Sequence, residues 1–304
     1  MSIISNQGGI NLTSSKLQLI EISWLDDSVV LENADEELLA APFNKNLSEQ
    51  EIISLIRDSY YKLKSRKPAG AKNISFTLPG GLFEIIELPV DDLLTKEDLN
   101  AHLNWEFSVL YPHKDPGDFI LRYFEIGEYP YPNAKKILVA AIEKKILSAI
   151  HKFCKTNNLF LRLVDNAHFA SNLLINPEPG QNNYVSLYSD DDKMSMMIFE
   201  RGKPKFYKSF PCTEMNSIPA RIKSEYQDYY VSQNRISEIE SIYAAGDSFT
   251  DEVMPLFNSA FQYGIIRILP FSNLKASPKL FNKGAIVSKF YSYAAPIGIA
   301  ARIS

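Results

Sequence analysis

Thr13-Ser14-Ser15-Lys16 places three hydroxyls and one ammonium in consecutive positions near the start of the chain. They lie between Gly9-Ile10-Asn11-Leu12 and Leu17-Gln18-Leu19-Ile20-Glu21-Ile22, where apolar residues alternate as strands require. Leu17 and Leu19 face one way, and Gln18, Ile20 and Ile22 the other. A tight turn of this composition can hold phosphate oxygens through backbone N–H groups, hydroxyls and a cation. The same composition suits a hairpin turn with no ligand, because such residues satisfy turn backbone locally. Further along, Ser189-Asp190-Asp191-Asp192-Lys193 gathers three adjacent carboxylates, readable as a metal site or as a solvated turn. His102, His113, His151 and His168 show no metal-ligand spacing.

The rest of the composition narrows the field. The 304 residues suffice for two domains. Net charge is −4 and no long Lys/Arg run occurs, which argues against a nucleic-acid binder, whose phosphate contacts need a concentrated positive face. Cys154 and Cys212 are the only cysteines, so no disulfide framework is expected and a reducing compartment is. The start Met-Ser-Ile-Ile-Ser-Asn-Gln lacks the basic-then-apolar build of a signal peptide. No stretch approaches the ~20 apolar residues that span a bilayer. A cytoplasmic protein, touching membrane only through a partner, is the expectation.

The elements that would position these groups follow in order. Asp26-Asp27-Ser28 marks a turn and Val29-Val30-Leu31 a third strand. Ser48-Glu49-Gln50-Glu51 is a capping box, opening a helix with Ile52, Ile53, Ile56, Tyr60 and Leu63 in step. Lys64-Ser65-Arg66-Lys67 ends it, the cations complementing the helix dipole. Strands are predicted at 74–78, 82–88, 119–124, 137–142 and 159–164. A helix capped by Thr95 carries Leu99, Leu103, Phe107 and Leu110, and another carries Ile146, Ile150 and Phe153. Tyr129-Pro130-Tyr131-Pro132-Asn133 reads as a loop, and Asp165 as the start of a helix ending near Ile175. Asn176-Pro177-Glu178-Pro179-Gly180-Gln181-Asn182-Asn183 has loop composition and marks a domain boundary. Beyond it the pattern begins again: strands 184–188, 194–199 and 204–210, a helix with Ile218, Ile222, Tyr226 and Tyr229, a strand 239–245, a helix around Val253, and a strand 265–269. The small apolar tail Phe290 to Ala301 suits a packed helix. Each half thus opens with a hairpin whose turn is polar, a repeat at the level of the fold. Two such halves with their turns aimed into a cleft describe an actin-like fold.

Particular stretches carry a family resemblance along nearly the whole chain. The opening stretch is similar to Gly-Ile-Asp-Ile-Gly-Ser-Ser-Ser-Val-Lys-Leu-Val-Glu-Leu, the start of the type IV pilus assembly protein PilM family. Leu78-Pro79-Gly80, Trp105-Glu106 with Tyr111-Pro112, Leu138-Val139-Ala140-Ala141, Leu163-Val164-Asp165, Phe169-Ala170, Pro270-Phe271-Ser272 and Ala295-Pro296-Ile297-Gly298-Ile299-Ala300-Ala301-Arg302 follow at the family's spacing. The resemblance implies an FtsA-like, actin-like ATPase (ribonuclease H-like) α/β fold. Its first domain would cover 1–73 and 143–178, an inserted subdomain 74–142, and a second domain 179–304. It further implies a cytoplasmic protein at the inner face of the bacterial inner membrane. Such a protein holds the N-terminal cytoplasmic tail of a PilN-like membrane protein in a groove beside the insert, with ATP and magnesium between the domains. Homo-oligomer formation is left open.

Against that family the phosphate-loop positions are changed. Its magnesium-holding Asp falls on Asn11 and its Gly on Thr13; a neutral amide binds a cation weakly, and a side chain obstructs close backbone approach to phosphate. Its lysine falls on Gln18, leaving Lys16 to supply a cation from a shifted position. Its second Asp-Ile-Gly falls on Tyr188-Ser189-Asp190, and its adenosine-side Gly-Gly-Gly-Ser on Ala245-Gly246-Asp247-Ser248. The acidic residue after Asp165 falls on Ala167, and His168 reads as a core or boundary histidine. If nucleotide binding is retained, Asn11, Thr13, Ser14, Ser15, Lys16 and Gly246 would carry it, with Asp165 near the attacking water. The expectation is a scaffold of a type IV pilus or related secretion platform, with ATPase activity impaired or absent and no required cofactor. The alternatives are a working ATPase of the same assembly, or a type II secretion adaptor.

Overall fold

A computed structural model describes residues 6–25, 28–128, 133–190, 193–212, 214–232, 239–262, 264–272, 274–276 and 289–302. The first half is built on the opening hairpin. Strand β1 (Gln7–Leu12) pairs antiparallel with β2 (Lys16–Leu25), which pairs antiparallel with β3 (Ser28–Leu38). Helix α1 (Glu49–Arg66) follows; the Ser48 side chain accepts from Glu51 N–H and the Glu51 carboxylate from Ser48 N–H, the reciprocal cap expected from the sequence. Strand β4 (Asn73–Leu78) then lies parallel to β1, and β8 (Phe160–Asn166) parallel to β4.

Between β4 and β8 the chain leaves this sheet. Strands β5 (Phe83–Asp91), β6 (Phe119–Glu128) and β7 (Ala134–Glu143) form an antiparallel sheet in the order β5-β7-β6. Helix α2 (Lys96–Leu110) covers one face with Leu99, Leu103 and Phe107. Helix α3 (Lys144–Thr156) returns to the first sheet, and α4 (Ala167–Ser171) follows β8.

The second half repeats the first. Strands β9 (Tyr184–Asp190), β10 (Lys193–Glu200) and β11 (Lys203–Pro211) form the antiparallel set; after α5 (Ile218–Ser232), β12 (Ser241–Gly246) runs parallel to β9. Helix α6 (Met254–Ala260) and the short β13 (Ile266–Arg267) complete it. Strand order is β3-β2-β1-β4-β8 in one sheet and β11-β10-β9-β12-β13 in the other, the same path walked twice. The chain then crosses back: β14 (Leu274–Ala276) pairs with β3, and α7 (Ala294–Ala301) packs on β1.

Alternation sorts each strand's residues between two faces. Ile10, Leu12, Leu17, Leu19 and Phe76 meet α1 and α3, whereas Ile20 and Ile22 meet Ile297 and Ala300 of α7. In the second half Val185, Leu187 and Met196 face α5 and α6, while Tyr188, Met197 and Ala245 face α4 and the start of α7. So α4 and α7 fill the layer between the two sheets. At this seam two glycines are required. A Cβ on Gly9 would run into the Pro296 carbonyl, and one on Gly298 into the Ala170 carbonyl.

Three expectations are corrected. Ile74, the expected start of the insert, lies inside β4, whose parallel pairing to β1 makes it part of the first sheet; the three-stranded sheet begins at Phe83. The expected second domain, 179–304, gives up β14 and α7, because both are held by strands of the first half. Asp165 lies in β8 rather than opening a helix, since Asn166 caps α4 through His168 N–H. The expected turn at Asp26-Asp27, the loop at 129–132, and Asp191 and Asp192 fall outside the described residues.

Candidate functional site

The register of the first sheet sets five polar residues in one line across it. Glu36 lies opposite Gln18, Gln18 opposite Asn11, Asn11 opposite Thr77, and Thr77 opposite Asp165. Paired residues share a face. Since Gln18 lies on the side of Ile20 and Ile22, this row faces α7 and the seam between the halves.

The row is bonded to itself. The Thr77 hydroxyl donates to Asn11 Oδ1 at 2.9 Å, and Asn11 Nδ2 donates to Gln18 Oε1 at 2.9 Å. Gln18 Nε2 donates to Glu36 Oε2 at 3.1 Å and to the Ser292 hydroxyl at 3.0 Å, which ties in the turn before α7. Asn11 and Gln18 are almost wholly buried, and a buried amide left unpaired costs about 1–3 kcal/mol, so these bonds are needed by the fold itself.

Lys16, the first residue of β2, extends the network across the seam. Its ammonium sits 3.2 Å from Glu36 and 2.8 Å from Asp247, which follows β12 in the other half. Burial works against the Lys16 charge, but Asp247 and then Glu36 outweigh it and hold the ammonium above its usual pKa range. Thr13 closes the hairpin. Its hydroxyl accepts from Ser15 N–H at 3.2 Å and Lys16 N–H at 3.1 Å, and its own N–H donates to the Lys16 carbonyl at 2.9 Å. The Ser14 and Ser15 carbonyls accept from Phe43 and Leu39 N–H, so the turn is tied to the chain after β3.

Gly246 lies in the other half, next to Asp247. Its φ is +103°, and a Cβ there would strike the Ser189 carbonyl. The glycine thus lets β12 turn away against β9, where the Ser189 hydroxyl accepts from Ser248 N–H at 2.9 Å. Asp165, at the far end of the row, pairs with Arg302 beyond α7. Burial raises its pKa, while Arg302 and the Asn166 N–H oppose the rise. Asp190 accepts from Gly80 N–H at 3.0 Å, fixing the turn that leads into the insert.

His168 is a buried joint between the halves. From α4 it reaches the Ser186 hydroxyl at 2.9 Å with Nε2 and the Ser195 hydroxyl at 2.8 Å with Nδ1. Burial pushes its pKa down to about 3. The unfolded chain therefore binds this proton first as pH falls, so the stability His168 contributes is present above about pH 6.5 and is lost progressively below it. Between pH 7 and pH 5 the wild type is expected to lose stability, by at most about 1.4 kcal/mol per unit from this group. Urea unfolding of His168→Asn should show a flatter pH slope.

The groups expected to meet magnesium-ATP are bonded to one another in this structure. Asn11, placed where a magnesium-holding carboxylate is expected, has both ends of its amide committed within the sheet. The Lys16 ammonium is spent on two carboxylates, and the hairpin N–H groups of Ser15 and Lys16 are spent on Thr13. Among the described residues no group of three or more His, Cys, Asp and Glu is placed to hold a metal ion. Of the candidates from the sequence, Asn11, Lys16 and Asp165 lie on one sheet with Thr13 in its hairpin turn, and Lys16 meets the neighbour of Gly246. Glu36, Asp247 and Arg302 were missed as partners; each is a charged residue that a half-buried strand or helix end must pair.

No family model matches the sequence, and no curated relative matches it either. Its fold is nonetheless similar to those of solved structures. One described as a PilM-PilN type IV pilus biogenesis complex superposes with a TM-score of 0.69 at 14% identity, over 99% of each chain. A Bacteroides thetaiotaomicron protein with an actin-like ATPase fold gives 0.55 at 14% identity, over 88% of this chain and 91% of the other. The ethanolamine utilization protein EutJ from Carboxydothermus hydrogenoformans gives 0.50 at 10% identity, over 97% of this chain and 89% of the other. The chain has the actin-like ATPase fold.

Proposed function

We propose that this chain is a cytoplasmic assembly scaffold on an actin-like frame. It would dock the cytoplasmic tail of an inner-membrane partner and use the seam between its halves for rigidity rather than for nucleotide chemistry. One observation carries the second part: the Glu36-Gln18-Asn11-Thr77-Asp165 row and the Lys16–Asp247 bridge consume the groups that would meet phosphate and magnesium. The first part is supported by similarity over the full length to a PilM-PilN complex, the partner being PilN-like by that analogy. In this reading the unit from Phe83 to Glu143 is the insert, and the tail lies in a groove between it and the first half. The protein reaches the membrane through that partner; no helix among the described residues is long and apolar enough to cross one.

The test has two arms. With millimolar Mg-ATP the melting temperature is expected to stay where it is without nucleotide. A competent site at about a hundredfold excess over Kd would add about 2.7 kcal/mol, and such a rise would return the protein to the ATPases. Titration with the cytoplasmic tail of a co-encoded single-span membrane protein is expected to give micromolar binding. If every such tail fails, the scaffold reading is lost.

A further inference from the structure

The outward face of α2 exposes a tryptophan and a valine. Leu99, Leu103 and Phe107 point into the insert, while Asp98, His102, Trp105 and Val109 share the opposite side at steps of four and three. Trp105 is 59% exposed and Val109 55%. A tryptophan held in water at the centre of a helix face costs solubility. The ring is also set in place: His102 stacks on it at 6.0 Å and 27° between planes, and lies 3.6 Å from Glu106. The spacing along this side of α2 is that of a short coiled-coil face.

Charge selects the occupant. Asp98 on this face and Glu106 and Glu97 to either side of it outnumber a single Lys96. A second copy docked by two-fold symmetry would set those carboxylates against their equals. An anionic leaflet would be repelled in the same way. We infer that α2 docks an amphipathic helix of a partner protein, apolar along one stripe and basic along its borders, with Trp105 as the anchor. This surface is independent of whether the seam binds nucleotide.

The chain has two tryptophans, so Trp24→Phe leaves Trp105 as its sole indole reporter. The probe is a synthetic helical peptide with leucines at helical spacing and lysines elsewhere. Its controls are a glutamate analogue and a scrambled peptide of the same composition. Titration of the Trp24→Phe protein should shift indole emission to the blue with the lysine helix alone. In the wild type, Trp105→Ala and Glu106→Lys should each weaken binding of the labelled peptide about tenfold or more while leaving the melting temperature unchanged. Equal response to the scrambled or glutamate peptide overturns the inference. So does a blue shift produced by phosphatidylserine vesicles instead of peptide, or concentration-dependent dimerisation that Trp105→Ala abolishes.

Discussion

Gly298→Ala is expected to destabilise the protein by about 3 kcal/mol, at the upper end of overpacking costs. For a chain of this size that lowers the melting temperature on the order of 5–10 °C. The new methyl has nowhere to go: it would overlap the Ala170 carbonyl, which belongs to α4 and so to backbone rather than to a movable side chain. Gly9→Ala should cost a similar amount, because its Cβ meets the Pro296 carbonyl from the opposite side of α7. Both clashes involve α7, so their costs should combine less than additively: once α7 is displaced by one methyl, the other clash is partly relieved. Gly180→Ala is the control. Unlike Gly9 and Gly298 it has a positive φ, +94°, but nothing lies near the added methyl, so only the backbone cost of about 1 kcal/mol should appear. Differential scanning calorimetry of the three variants separates the seam from a general intolerance of alanine. If Gly298→Ala melts with the wild type, the packing described for α7 is wrong.

Lys16→Met is expected to cost about 2 kcal/mol. That is less than the roughly 3–5 kcal/mol of breaking a fully buried pair, because Asp247 stays more than a third exposed. The loss arises from what stays behind: Glu36 and Asp247 lose the cation between them. Asp247→Asn should cost less, since Lys16 keeps Glu36. The double variant should recover about 1 kcal/mol relative to the sum, the coupling of a real bridge in a mutant cycle. Strict additivity would mean that the contact carries no energy. Hydrogen exchange offers a second reading, since amides after Gly246 should open faster in Lys16→Met while those of α1 stay protected.

Local structure was largely legible. The Ser48–Glu51 cap, the inward faces of α1 and α3, and the hairpins that open each half follow from short-range patterns, and the structure has them. What sequence patterns could not supply was pairing. Asn73–Leu78 alternates identically whichever sheet it joins, so nothing in its residues says that it lies beside β1. Strand β14 has three residues, too few for any period to show. The tail announced a packed helix by its small apolar residues, yet gave no sign that its packing partner begins at Gly9. At the site, the departures at Asn11, Thr13 and Gln18 were visible, but their replacement chemistry was not. Asn11 and Gln18 answer each other across a hairpin, which alternation would have allowed; Lys16 meets Asp247 231 positions later, which no local rule reaches.

The return of β14 and α7 to the first sheet has a consequence for the order in which the molecule can be made. Synthesis runs from the amino end, so β1 and β2 leave the ribosome long before the helix that covers them. Until then Ile20, Ile22 and the Asn11–Gln18 row face solvent, and Ser292 is not yet there to accept from Gln18. The first half must wait as an open-faced sheet while the second half folds, and the last segment then closes both at once. Nascent chains halted before residue 289 should therefore be bound by chaperones and cut by protease within β1 and β2.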